Sequence, residues 1–125
     1  MENPILKKLL AEGPDSMNLS ALGSVVRHDL LTKAGDIFLK EGQYAHAARS
    51  YELAENNEKL ALASNDFYRQ YNFRLAALFL IPTKDKEKLE ALGQVCVEKG
   101  QREAALQIFE SLGDERMVNF IKENK

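Results

Sequence analysis

The feature that most restricts this chain is an internal repeat of 29 residues. Shifted by that interval, Leu31, Leu60 and Leu89 share a column, followed by the pairs Ala34-Gly35, Ala63-Ser64 and Leu92-Gly93. Phe38, Phe67 and Cys96 come next, then Ala47, Ala76 and Ala105, then Tyr51, Leu80 and Phe109. A period of about 20–50 residues marks units that cannot bury an apolar face alone and must stack on their neighbours.

Spacing within a copy identifies the unit. Leu31, Ala34, Gly35 and Phe38 fall at i, i+3, i+4 and i+7, the stripe of an amphipathic helix, and Ala47, Ala48, Tyr51 and Ala54 resume it after Gly42. Two such stripes around a break make a helical hairpin. Gly42 and Gly100 stand where a helix ends in a left-handed residue, with Tyr71 between them in the column. Asn56-Asn57 and Gly113-Asp114 read as stop-and-restart signals. A Gly or Ser on the first helix facing the Ala of the second allows close approach of the axes, near the short end of the roughly 8–10 Å range, with the aromatic one turn on filling the space beside it.

The pattern predicts helices near residues 4–12, 16–27, 29–41, 44–55, 57–70, 73–80, 84–99, 101–112 and 114–123. The fold class that follows is all-α: tandem antiparallel helix-turn-helix repeats wound into a right-handed superhelix, a single domain over 1–125. Its parts are a degenerate repeat 1–27, with Ile5, Leu6, Leu9, Gly13 and Leu22 in the shared columns, repeats 29–55, 57–81 and 84–112, and a capping helix 114–123 with Met117, Phe120 and Ile121 on one face.

The second copy, Leu31-x-x-Ala34-Gly35-x-x-Phe38-x-x-x-Gly42-x-x-x-x-Ala47-x-x-x-Tyr51-x-x-Ala54, resembles a tetratricopeptide repeat nearly column for column, and Leu89, Leu92, Gly93, Gly100, Ala105 and Phe109 resemble it almost as well. The tetratricopeptide period is about 34 residues, and the Pro that commonly closes that motif is absent after Ala54 and Leu112. The shorter repeat is similar to the helical zigzags of vesicle-coat and trafficking proteins, which share phrases like Ala34-Gly35-Asp36-Ile37-Phe38 and Tyr51-Glu52-Leu53-Ala54. The resemblance implies a protein-interaction scaffold, with a peptide or helix lying in a concave groove made by the first helix of each pair.

Charge and chemistry narrow the function classes. A net charge of -2 and a pI near 5.7 argue against a nucleic-acid binder, which carries a basic excess. The single Cys96 permits no internal disulfide and fits a reducing cytoplasm. Met1-Glu2-Asn3-Pro4 is unlike a signal peptide, and the longest apolar stretch, 75–81, falls far short of the about 20 residues that span a bilayer, so no membrane insertion is expected.

His28 and His46 lack a second metal ligand at helical spacing, and Cys96, in the column of Phe38 and Phe67, reads as a small buried apolar residue with no activating base. No Gly-rich phosphate cradle follows a strand pattern. The expectation is a non-enzyme with no cofactor and no metal.

Residues of the first helices that face away from the second helices define the expected partner groove. They are Asp29, Thr32, Asp36, Leu39 and Lys40, then Glu58, Asn65, Tyr68 and Arg69, then Glu87, Glu90, Gln94, Val97 and Glu98. Six acids against two bases make it more negative than the chain as a whole, so the expected partner is a basic protein or peptide. Only Asn65 and Arg69 match the basic clamp with which some tetratricopeptide proteins hold acidic chaperone tails, and Asp36 opposes it. The alternative is a structural element that self-associates into a homo-oligomer through its terminal helices.

Overall fold

A computed structural model describes residues 3–124; Met1, Glu2 and Lys125, the outermost residues of the expected array, lie outside the described residues. The described residues form an all-α protein: α1 Pro4–Glu12, α2 Ser24–Lys40, α3 Tyr44–Leu53, α4 Asn57–Arg69, α5 Phe73–Leu80, α6 Lys86–Glu98, α7 Arg102–Ser111 and α8 Glu115–Glu123. A 3₁₀ turn, Ile81–Thr83, joins α5 to α6, and no strand occurs among the described residues. The chain divides into two compact units, Met1–Leu60 and Ala61–Lys125, with the boundary inside α4.

The helices pair with their neighbours in sequence, and α2 and α3 form an antiparallel hairpin, because contacts on one run backwards along the other. In the first unit His28 meets Ala54, Gly35 meets Tyr51 and Phe38 meets His46 across α2 and α3. In the second unit Gly93 of α6 meets Phe109 and Ile108 of α7, and Ser64 and Phe67 of α4 meet Ala76 and Phe79 of α5. Leu89, Leu92 and Cys96 of α6, Ala105, Ile108 and Phe109 of α7 and Ile121 of α8 share one buried cluster with Ala76, Ala77 and Leu80 of α5.

The glycines of the small-residue column face aromatic rings. A Cβ on Gly35 would lie 2.5 Å from Tyr51 Cε1, and one on Gly93 would lie 2.7 Å from Phe109 Cζ. The middle copy exchanges volume between the same two columns, with Ser64 on α4 and Leu80 where the others have a ring. There the buried Ser64 Oγ donates to the carbonyl of Ala76 at 2.7 Å, so its hydroxyl is satisfied inside the core.

Helix ends follow the same 29-residue period in two series. Gly42, Tyr71 and Gly100 have φ of 76°, 59° and 68°, and Glu55, Lys84 and Gly113 have φ of 57°, 57° and 68°. In the first series the next amide reaches back to the helix in a Schellman closure: Gln43 N to Phe38 O at 2.9 Å, Asn72 N to Phe67 O at 2.9 Å and Gln101 N to Cys96 O at 2.8 Å. In the second, Asn56 N to Tyr51 O at 2.9 Å and Asp114 N to Phe109 O at 3.0 Å repeat it. Pro82 breaks that pattern, and Lys84 closes the 3₁₀ turn on Ile81 O at 3.1 Å instead.

Restart is periodic too, since Asn56, Asp85 and Asp114 accept from Lys59 N, Lys88 N and Met117 N at 3.1, 3.2 and 3.1 Å. Each cap satisfies an otherwise unpaired first-turn amide.

The first copy departs from expectation. No helix spans residues 16–23; the chain from 13 to 23 is turns, and α2 begins at Ser24, five residues before the expected start. Local side-chain bonds supply the reason: Ser16 Oγ donates to Gly13 O at 2.7 Å, and Asn18 Oδ1 accepts from Ser20 N at 3.0 Å, both competing with a helical ladder. Arg49 of α3 then pins the segment, with Nε and Nη2 donating to Asp15 at 3.0 and 2.8 Å. Those bonds hold the Asp15 carboxyl below its ordinary value.

Candidate interaction faces

The expected groove residues lie on three first helices and are best taken helix by helix. On α2, Asp29, Thr32, Asp36 and Lys40 follow i, i+3, i+7, i+11 and so share a face. Asp29, Asp36 and Lys40 are exposed, while Thr32 and Leu39 are half-buried.

Two of these side chains are engaged within the first unit. Asp36 Oδ1 accepts from the hydroxyl of Tyr51 at 2.6 Å and pairs with Lys59 Nζ at 3.2 Å. Burial, with the Asp36 carboxylate beside it, raises the Tyr51 phenol well above its ordinary value. Thr32 Oγ1 accepts from Asn56 Nδ2 at 3.0 Å. Asp36 and Thr32 therefore tie α2 to α3 and to the first turn of α4, and the Asp36 charge is partly neutralised. Sequence reasoning missed Lys59 as a partner, because it sits 23 residues away and outside the apolar columns. Glu58, in that same first turn, is exposed.

On α4, Asn65, Tyr68 and Arg69 are exposed. Tyr68 packs its edge against Phe73 with ring centroids 5.8 Å apart, and Arg69 lies 3.9 Å from Asp66. Tyr71, at the turn, is the most exposed large apolar side chain among the described residues, at 76%.

The cleanest face is on α6. Glu87, Glu90, Gln94 and Glu98 follow i, i+3, i+7, i+11 and are all exposed, while Leu89, Leu92, Gly93 and Cys96 on the opposite side are buried. No ion pair engages the three carboxylates among the described residues, so their charge reaches solvent undiminished. Val97 is half-buried beside them and packs against the unit's core.

Burial raises the Cys96 thiol to about 11, which leaves it protonated and a poor nucleophile at neutral pH. No helix among the described residues is long and apolar enough to cross a membrane. The chain matches no protein-family model, no curated protein and no solved structure.

Proposed function

We propose that this chain is a protein-interaction scaffold of the tetratricopeptide-like α-solenoid type, cytoplasmic and non-enzymatic, whose hairpins stack in a right-handed superhelix and take a basic peptide or helix along the outer faces of the first helices. The observation that carries the reading is the α6 face, where a helix commits its apolar side to the core and leaves three unpaired carboxylates in one exposed row. The 29-residue period in caps, left-handed residues and packing columns supports the repeat type. Such a face steers a cationic partner into contact and contributes more to encounter rate than to final affinity.

The test is calorimetric titration of a Lys-rich amphipathic peptide at low and high salt, repeated with Glu87, Glu90 and Glu98 all changed to Lys. Binding should weaken at least tenfold with salt and vanish in the triple variant. Asp36 is unsuitable for reversal because it bonds Tyr51 and Lys59. Salt-independent binding that survives the reversal would contradict the proposal.

Self-association is the second reading. The half-exposed Phe120 of α8, at 49%, favours it, and a monomer in sedimentation at micromolar concentration would eliminate it.

A further inference from the structure

Two charges on α8 stand against the dipole of their own helix. Arg116 lies in the first turn and Glu123 in the last, where a helix favours an acid and a base respectively. Glu115 and Lys122, one residue before each, follow that rule. Arg116 and Glu123 are both exposed, and no hydrogen bond or ion pair engages either side chain among the described residues. Within the chain, then, neither charge is compensated.

Arg116, Asn119, Phe120 and Glu123 follow i, i+3, i+4, i+7 and share an exposed face, while Ile121 is turned into the core. With Asp114 and Met117 they line an open concavity of about 640 Å³. Four residues at that spacing make the hole into which a facing helix sets a knob. The same face carries a knob of its own, the half-exposed ring of Phe120.

The face is complementary to itself in one orientation. Arg116 and Glu123 lie equally far in sequence from the midpoint between Asn119 and Phe120. A two-fold axis at that point runs two copies of α8 antiparallel, with Arg116 of each beside Glu123 of the other and each Phe120 entering the other's concavity. Parallel pairing would set like charges together, which opposes binding. The antiparallel pair also lays the positive end of one helix beside the negative end of the other, so charges misplaced within one chain become well placed between two.

We infer that a second copy of this chain covers this face, through an antiparallel pair of α8 helices held by Phe120 and two reciprocal ion pairs between Arg116 and Glu123. The contact uses no residue of the α6 row, so the two readings stand or fall separately. A helix of 9 residues is only about 14 Å long, and a pair that short falls below the about 1,200 Å² of standard interfaces. The dimer is therefore weak, and it is sought above the micromolar range that decides the second reading of function.

Sedimentation velocity of the full chain from about 20 µM to about 1 mM, the range for a contact of this size, should show monomer giving way to dimer. Arg116→Glu alone and Glu123→Arg alone should each stay monomeric, because either change opposes like charges at both ends of the pair. Mixed in equal amounts, the two variants should dimerise at least as well as the parent, since the acids of one then meet the bases of the other. Phe120→Ala should weaken the parent dimer at least tenfold.

Backbone NMR of the parent should show concentration-dependent shifts centred on residues 116–123, a readout that does not depend on any variant folding. A parent that stays monomeric throughout, a dimer that survives either charge reversal, a folded mixture that stays monomeric, or shifts confined to other surfaces would each overturn the inference.

Discussion

Replacing Gly93 with Ala tests the packing rule of the repeat in its last full copy. The new Cβ would stand 2.7 and 2.8 Å from Phe109 Cζ and Cε2 and 3.1 Å from Ile108 Cγ2, and both partners are buried. Overpacking of this kind costs about 1–3 kcal/mol, while Gly to Ala inside a helix returns about 0.5–1 kcal/mol. The net expectation is a loss of roughly 0.5–2 kcal/mol.

The middle copy indicates the compensation, because it pairs Ser64 with Leu80. Gly93→Ser and Phe109→Leu should each destabilise, yet the double variant should recover about 1 kcal/mol or more relative to the sum of the two. Urea unfolding followed by far-UV circular dichroism measures all four corners of the cycle. Additivity within about 0.5 kcal/mol, or a Gly93→Ala protein as stable as the parent, would refute the argument that the ring dictates glycine here.

Two further outcomes follow from the helix ends and the loop. Tyr71 and Lys84 hold left-handed φ without being glycine, so Tyr71→Gly and Lys84→Gly should each raise stability by up to about 1 kcal/mol, read as a higher denaturation midpoint. Asp15, held below the ordinary carboxylate value by its hydrogen bonds to Arg49, adds stability that is present above that ordinary value and fades as pH falls through its lower folded value. The pair is largely exposed, so the effect is small and screened by salt; Asp15→Asn should remove that part of the acid loss, and an unchanged pH profile would count against the pinning of the 13–23 segment.

The sequence made the hairpins legible because small and aromatic columns recur at a fixed interval, and the boundaries of α1 and α5 fall where the pattern puts them. One series of left-handed ends was visible through Gly42 and Gly100. The other was legible at Gly113-Asp114 and through the cap Asn56, but not at Lys84-Asp85, and neither Glu55 nor Lys84 carries a sign of positive φ.

Of the expected helix over 16–27 only the part from Ser24 forms, because the local turn chemistry of Gly13-Pro14 and Asn18 prevails over the repeat frame that puts Leu22 in a shared column. Exposure of the candidate face residues was readable from helical phase, whereas the partners of Asp36 and Thr32 depend on packing that brings α2 to the start of α4.

The most direct test of the scaffold reading is backbone NMR of the labelled chain during titration with the Lys-rich amphipathic peptide. Shift changes concentrated at Glu87, Glu90, Gln94 and Glu98, and receding as salt is added, are what an acidic first-helix face requires. Changes confined to other surfaces, or no changes at low salt, would contradict it.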